Sequence, residues 1–213
     1  IYKDNLGFFG FFECENNQET ANALFEAAAK WNRDKGRATM RGPLSFGIYD
    51  EVGVLVEGRE YLPAMLQVHN PAYYEDLCTG WGMGKAIDWY ALRITRYLLD
   101  EEVEKYKKLL DIITRRNKLT IVMPKPSKLL SYADEVLDLF NQSWSRNWGH
   151  IPFTKDQFRD ILKEIRPILR SDMIRFAVNE NNEIVGFIII IPDLNPTFQK
   201  LNGKMNLWGM IRL

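Results

Sequence analysis

Residues 7–43 read GFFGFFECENNQETANALFEAAAKWNRDKGRATMRGP. Gly7 to Cys14 is a nearly unbroken apolar run, the pattern of a strand buried on both faces. A polar turn follows, Glu15-Asn16-Asn17-Gln18. Ala21, Leu24, Phe25, Ala28 and Trp31 then recur at helical spacing. Asn16 with Glu19 three residues on is similar to a capping box, with Asn in the Ser/Thr place. Gly36 supplies the stop, and residues 37–40 form a second extended run before Arg41-Gly42-Pro43. The unit is strand, tight turn, helix, strand. Its turn leaves backbone N–H groups unpaired at a helix N-terminus, where anions are attracted. A phosphate group is expected there.

Outward from this unit, Val52–Glu57 is a short apolar run and Met65–Val68 reads as a short strand, with loop between them. Asn70-Pro71 is placed to cap and start a helix over 71–79, which stops in the glycines at 80, 82 and 84. Lys85–Thr95 alternates as a strand does. Asp100 caps a helix over 101–115, with Glu101 and Glu102 in its first turn and Arg115 and Arg116 at its end, as the helix dipole prefers. Leu119–Met123 is a strand. Ser127 caps a helix over 128–145, and Thr154 with Gln157 is a capping box for a helix over 155–169. Ile174–Val178 and Glu183–Ile191 form a hairpin around Glu180-Asn181-Asn182. The runs at Gly7–Cys14 and Glu183–Ile191 are expected at the centre of a sheet, with Phe11 and Ile189 as core residues.

The 213 residues are 46% hydrophobic and 26% charged, enough for one large or two small cores. The 28 basic and 28 acidic residues cancel, so no basic stripe points to nucleic acid. Cys14 and Cys78 are too few and too far apart for a metal motif or disulfide framework. No run reaches the length of a membrane span, and no signal peptide precedes the first strand. A cytoplasmic setting with no membrane partner is expected. The chain opens on what reads as the middle of a domain, so a fragment of a longer protein is also expected.

The strand–turn–ALFEAAAKW–strand unit, with Asn70-Pro71-Ala72-Tyr73-Tyr74 and Gly82-Met83-Gly84-Lys85, resembles the cofactor-binding centre of the GNAT acyltransferase superfamily. GFFGFFE, Arg41-Gly42-Pro43, Asn70-Pro71 with Tyr73-Tyr74, and Pro192-Asp193-Leu194-Asn195 resemble, in this order, a tandem GNAT-like group. The resemblance implies an α+β fold, a mixed β-sheet covered by helices. It implies two partial GNAT units: 1–99 as the C-terminal part of a first, 100–117 as a linker helix, and 118–213 as the N-terminal part of a second.

It further implies an N-acyltransferase that moves an acyl group from acetyl-CoA or another acyl-CoA to a small-molecule amine. Cofactor contacts then fall to Phe12, Cys14, Asn17, Thr20, Ala21 and Asn22. Tyr73 or Tyr74 would serve as acid or pocket wall, and Glu13, the sole carboxylate of its apolar run, as base. The ordinary readings stay open: helix packing for the tyrosines, a strand-end side chain in solvent for Glu13, a buried thiol for Cys14, and isolated loop residues for His69 and His150. Two departures stand out. The turn Glu15–Ala21 has no glycine and carries two carboxylates that repel phosphate, and Thr79 stands where the family often has Tyr. They favour the alternative, a non-catalytic scaffold or a module binding a small molecule in an aromatic pocket near Phe11, Tyr73 and Tyr74. Asp193 and Asn195 follow a buried run as a ligand pair or as an Asx turn.

Overall fold

The computed structural model describes residues 4–94 and 96–202. Readings at residues 1–3, 95 and 203–213 lie outside the described residues. The chain is α+β. In order it forms β1 (Leu6–Phe8), α1 (Gln18–Asp34), β2 (Thr39–Arg41), α2 (Tyr73–Gly80), α3 (Arg96–Arg116), β3 (Thr120–Val122), α4 (Ala133–Trp144), α5 (Lys155–Ile165), β4 (Ile174–Val178), β5 (Ile184–Ile189) and α6 (Asn195–Leu201). Two compact units form. The first takes the described residues of Ile1–Asp88, Gly149–Ile151 and Asp193–Leu213, the second those of Trp89–Trp148 and Pro152–Pro192.

In the first unit β1 pairs in parallel with β2, Gly7 opposite Met40, and α1 is the crossover between them. Gly7 is required by packing, since a Cβ there would collide with the side-chain oxygen of Asn32 on α1. Asn32 is buried and donates from Nδ2 to the carbonyls of Phe8 at 3.3 Å and Ala28 at 2.9 Å. Ala21, Phe25, Tyr74, Leu77 and Cys78 form the core. Phe25 is its hub, stacked on Phe12 at 4.6 Å and meeting Phe9 and Trp81 at 5.5 and 5.7 Å.

The strand expected over Gly7–Cys14 pairs only as far as Phe8. At Gly10 the Leu44 carbonyl comes too close for any Cβ, and Phe11 takes φ +53°. Phe9 and Phe12 turn to the core while Phe11 is 65% exposed, so Phe11 is not a core residue. Val52–Glu57 and Met65–Val68 form no strand; Val52 makes one isolated bridge to Leu44. Residues 85–94 form no strand either. Their alternation has nothing to bury against, and Tyr90 and Leu92 are exposed. Asn70 caps no helix; its Oδ1 accepts the Leu55 N–H at 2.8 Å, and α2 starts at Tyr73.

The second unit is an antiparallel sheet in the order β3-β4-β5. Leu129, Val136 and Leu137 pack with Phe158 and Leu162 of α5 on Ile174 and Phe176 of β4. The capping box at Thr154 and Gln157 is present. Pro167 has no N–H to continue α5, so residues 166–168 tighten to a 3-10 turn. The helix expected over 128–145 is likewise split, with a 3-10 segment Pro126–Tyr132 before α4 and no side-chain cap from Ser127. Helix α3 begins before Asp100, which lies inside it.

The central strand of this sheet is β4, and β5 is an edge. Ile189 packs against the core from one face, while the alternate Ile188 is 53% exposed. A continuous apolar run therefore did not mean two covered faces. Phe176→Ala is expected to lose about 3–5 kcal/mol of stability through its cavity, and Ile188→Thr at most about 1 kcal/mol. Urea titration of both variants checks this.

Candidate active site

Residues singled out at the end of the Gly7 run and on α2 come together. Tyr74 is 3% exposed. Its hydroxyl donates to Glu13 Oε2 at 2.6 Å and accepts the Cys14 N–H at 3.1 Å. The Tyr73 hydroxyl donates to the Cys14 carbonyl at 2.9 Å. Two successive residues of the first turn of α2 thus hold both main-chain polar groups of Cys14. Phe12 closes the cluster, its ring 5.0 Å from Tyr74.

Burial, and then the bond to Glu13, pushes the Tyr74 phenol above its ordinary value; the Cys14 N–H pulls the other way. Tyr74 therefore stays protonated at neutral pH and acts as a fixed donor to Glu13, whose side chain is otherwise exposed. Burial also pushes up both thiols, Cys14 with help from Glu15. Neither is a thiolate nucleophile at neutral pH.

The start of α1 differs from expectation. Asn17, not Asn16, is the cap, its Oδ1 accepting the Thr20 N–H at 3.1 Å. The Thr20 hydroxyl donates to Glu15 Oε1 at 3.1 Å. The helix N-terminus expected to be open thus has a carboxylate bonded to its first turn. Ala21 is buried, its N–H on the Asn17 carbonyl at 3.1 Å. Exposed Asn22 accepts from Gln18 Nε2 at 2.8 Å, and the same Nε2 donates to the Leu77 carbonyl at 3.0 Å, tying α1 to α2.

Among the described residues the amide N–H groups of Phe12 and Glu13 make no hydrogen bond. Phe11 stands apart from the tyrosines and meets Phe46 at 4.8 Å. The Thr79 hydroxyl donates to its own helix, to the carbonyls of Glu75 at 3.0 Å and Asp76 at 3.2 Å. His150 is a hydrogen-bonded loop residue, as expected, buried in the first unit with its Nδ1 bonded to the Tyr49 hydroxyl. His69 Nε2 meets the Arg59 carbonyl at 3.2 Å. Asp193 accepts the Asn195 N–H at 3.1 Å, an Asx turn.

Two curated proteins resemble the chain along its length. Protein YghO of Escherichia coli (strain K12) is 29% identical over 212 residues, 100% of this chain. The bacterial ceramide synthase of Caulobacter vibrioides (strain NA1000 / CB15N) is 30% identical over 213 residues, 97% of this chain. The chain spans about half the length of these relatives, 53% of each. No known family model matches it, and no solved structure does. Among the described residues no helix is long and apolar enough to cross a membrane.

Tyr74→Phe removes the Glu13 bond and strands the Cys14 N–H, so a loss of about 1–3 kcal/mol is expected. The phenol is raised by folding, so its contribution is whole below the unfolded value near about 10 and fades as pH climbs through the folded one. Melting temperatures across the alkaline range are expected to fall more steeply for the wild type than for Tyr74→Phe.

Proposed function

We propose that the chain is part of an N-acyltransferase that joins the acyl group of an acyl-CoA to the amine of a long-chain amino alcohol. What carries this reading is the 30% identity over 97% of the chain with a protein named bacterial ceramide synthase. A ceramide is the fatty amide of a long-chain amino alcohol, so that name describes amide-forming acyl transfer. The resemblance of the Gly7–Pro43 unit to acyltransferases of the GNAT superfamily supports it independently.

The residues fit the thioester end of the donor better than the diphosphate end. The amides of Phe12 and Glu13 are free to meet its carbonyl and amide arm, beside Cys14. At α1 the Thr20 N–H is capped by Asn17 and its hydroxyl is held by Glu15. Asn17, Thr20, Ala21 and Asn22 would receive a diphosphate only with Glu15 turned away. The donor supplies an activated acyl carbon.

The chain's own part is to place the amine and take its proton. The Glu13 carboxylate attracts the ammonium form, which gives one proton to water before the neutral amine attacks the thioester carbon. As the C–N bond forms and the C–S bond breaks, Glu13 accepts the second proton and passes it to the departing thiolate, which leaves as the free thiol. Tyr74 orients that carboxylate and is a positioning residue. Tyr73 and Tyr74 fix the Cys14 main chain, next to Glu13.

A second reading, a non-catalytic module that keeps the fold, is favoured by the glycine-free turn, by Thr79 and by the Glu15–Thr20 bond. The purified protein is to be incubated with a long-chain acyl-CoA and a long-chain amino alcohol, and the amide read by mass spectrometry. Amide formation is expected, with Glu13→Gln lowering kcat about 10²–10⁴-fold, the usual weight of a positioned base. Acyl-CoA binding without amide, or turnover indifferent to Glu13→Gln, supports the second reading.

A further inference from the structure

We infer that the paired rings of Phe11 and Phe46 form the subsite for the hydrocarbon chain of the acyl donor, an inference that rests on the acyl-transfer reading above. Both residues hold left-handed backbone, φ +53° and +74°, which bulky side chains rarely adopt. Such geometry persists only where the surroundings impose it, and it gathers at ligand sites. Here the surroundings are identifiable. The Leu44 N–H donates to the Phe9 carbonyl at 2.8 Å. The Phe11 N–H donates to the hydroxyl of buried Ser45 at 3.3 Å. Between these bonds Gly10 lies against the Leu44 carbonyl. The segments 9–11 and 44–46 are thus cross-braced.

The bracing holds two apolar rings edge to face and turned to solvent, 65% and 87% exposed. A single exposed Phe is ordinary. Two in left-handed backbone, side by side, are not explained by packing, since neither belongs to the core that Phe9, Phe12 and Phe25 build.

Position names the occupant. Phe11 is two residues from Glu13, so their Cα atoms are at most about 7 Å apart. In the proposed arrangement the donor's phosphates lie at Thr20–Asn22 and its thioester at Phe12–Glu13. The acyl chain then leaves the protein on the Phe11 side. The cationic end of the amine is drawn to the Glu13 carboxylate and attacks across the plane of the thioester, so its own hydrocarbon chain leaves on a different line from the acyl chain bonded to that carbon. An alkyl chain has no polar group to satisfy and needs the apolar surface that two rings supply.

The test varies donor chain length, butanoyl to hexadecanoyl, against one amine, and separately varies amine length against one donor. In the double variant Phe11→Ser, Phe46→Ser the ratio of kcat/KM for hexadecanoyl over butanoyl donor is expected to fall about tenfold, the worth of about two buried methylenes. The amine-length profile is expected to keep its shape, and Phe11→Leu, Phe46→Leu to restore most of the ratio. Without turnover, an anthroyloxy-labelled fatty acid is expected to bind the double Ser variant about tenfold more weakly than wild type. Should that variant fail to fold, Phe46→Ser alone is read the same way. An unchanged donor-length ratio overturns the inference, as does a shift confined to amine length. So does a change in sedimentation showing that the rings bury against a second copy. Absence of amide from every donor overturns the acyl-transfer reading instead, and labelled-chain binding then judges the rings by themselves.

Discussion

The carbonyl of Leu44 lies where any side chain at residue 10 would stand, and much of the first unit follows from that close approach. Glycine at 10 lets the segment after Pro43 cross the end of β1 and bond it, through the Leu44 N–H on the Phe9 carbonyl. The ladder with β2 can go no further. The chain leaves the sheet with Phe9 and Phe12 turned to Phe25 and Phe11 turned away. Glu13 and Cys14 are delivered to the tyrosines of α2. One backbone contact thus sets both the apolar floor beneath the cluster and the polar group above it.

Within that cluster Cys14 contributes its main chain rather than its sulfur. Both its amide and its carbonyl are taken by phenol oxygens, and the thiol is held neutral by burial and by Glu15. The phenol of Tyr74 is buried and the carboxylate of Glu13 is largely in water. That asymmetry keeps the proton on the Tyr74 oxygen.

The helices were legible because an apolar stripe needs only one neighbour. On α1 Ala21 and Phe25 of the expected stripe are buried, while Leu24 and Trp31 face solvent and Ala29 is buried in their stead; on α5 Phe158 and Leu162 are buried. Strands were legible as extended chain, but not in their place within a sheet. Nothing in Ile184–Ile189 tells an edge from a centre, because that depends on which strand lies beside it. The Gly7 run departs from a strand for a related reason: its extended course is broken at Gly10 by a segment more than thirty residues on. Glu13, Tyr73 and Tyr74 could be named from the sequence. The bond between Glu13 and Tyr74 spans 61 positions and that between Tyr49 and His150 spans 101, so neither leaves a local mark. The carboxylate of Glu15 was read as a repulsion, and it is also a partner of Thr20.

That partnership changes what kind of event anion binding at α1 is. A phosphate that takes the Thr20 hydroxyl does not fill a vacant seat; it exchanges with a carboxylate the chain carries on a five-residue tether. The tethered carboxylate competes at an effective concentration set by the turn and not by the solution. The apparent affinity is the intrinsic one reduced by the fraction of time the turn stands open. The released carboxylate stays close by, and its charge repels the newcomer. Such a turn selects for ligands that gain most of their hold elsewhere along their length, and it discriminates against free phosphate, which has nothing else to offer.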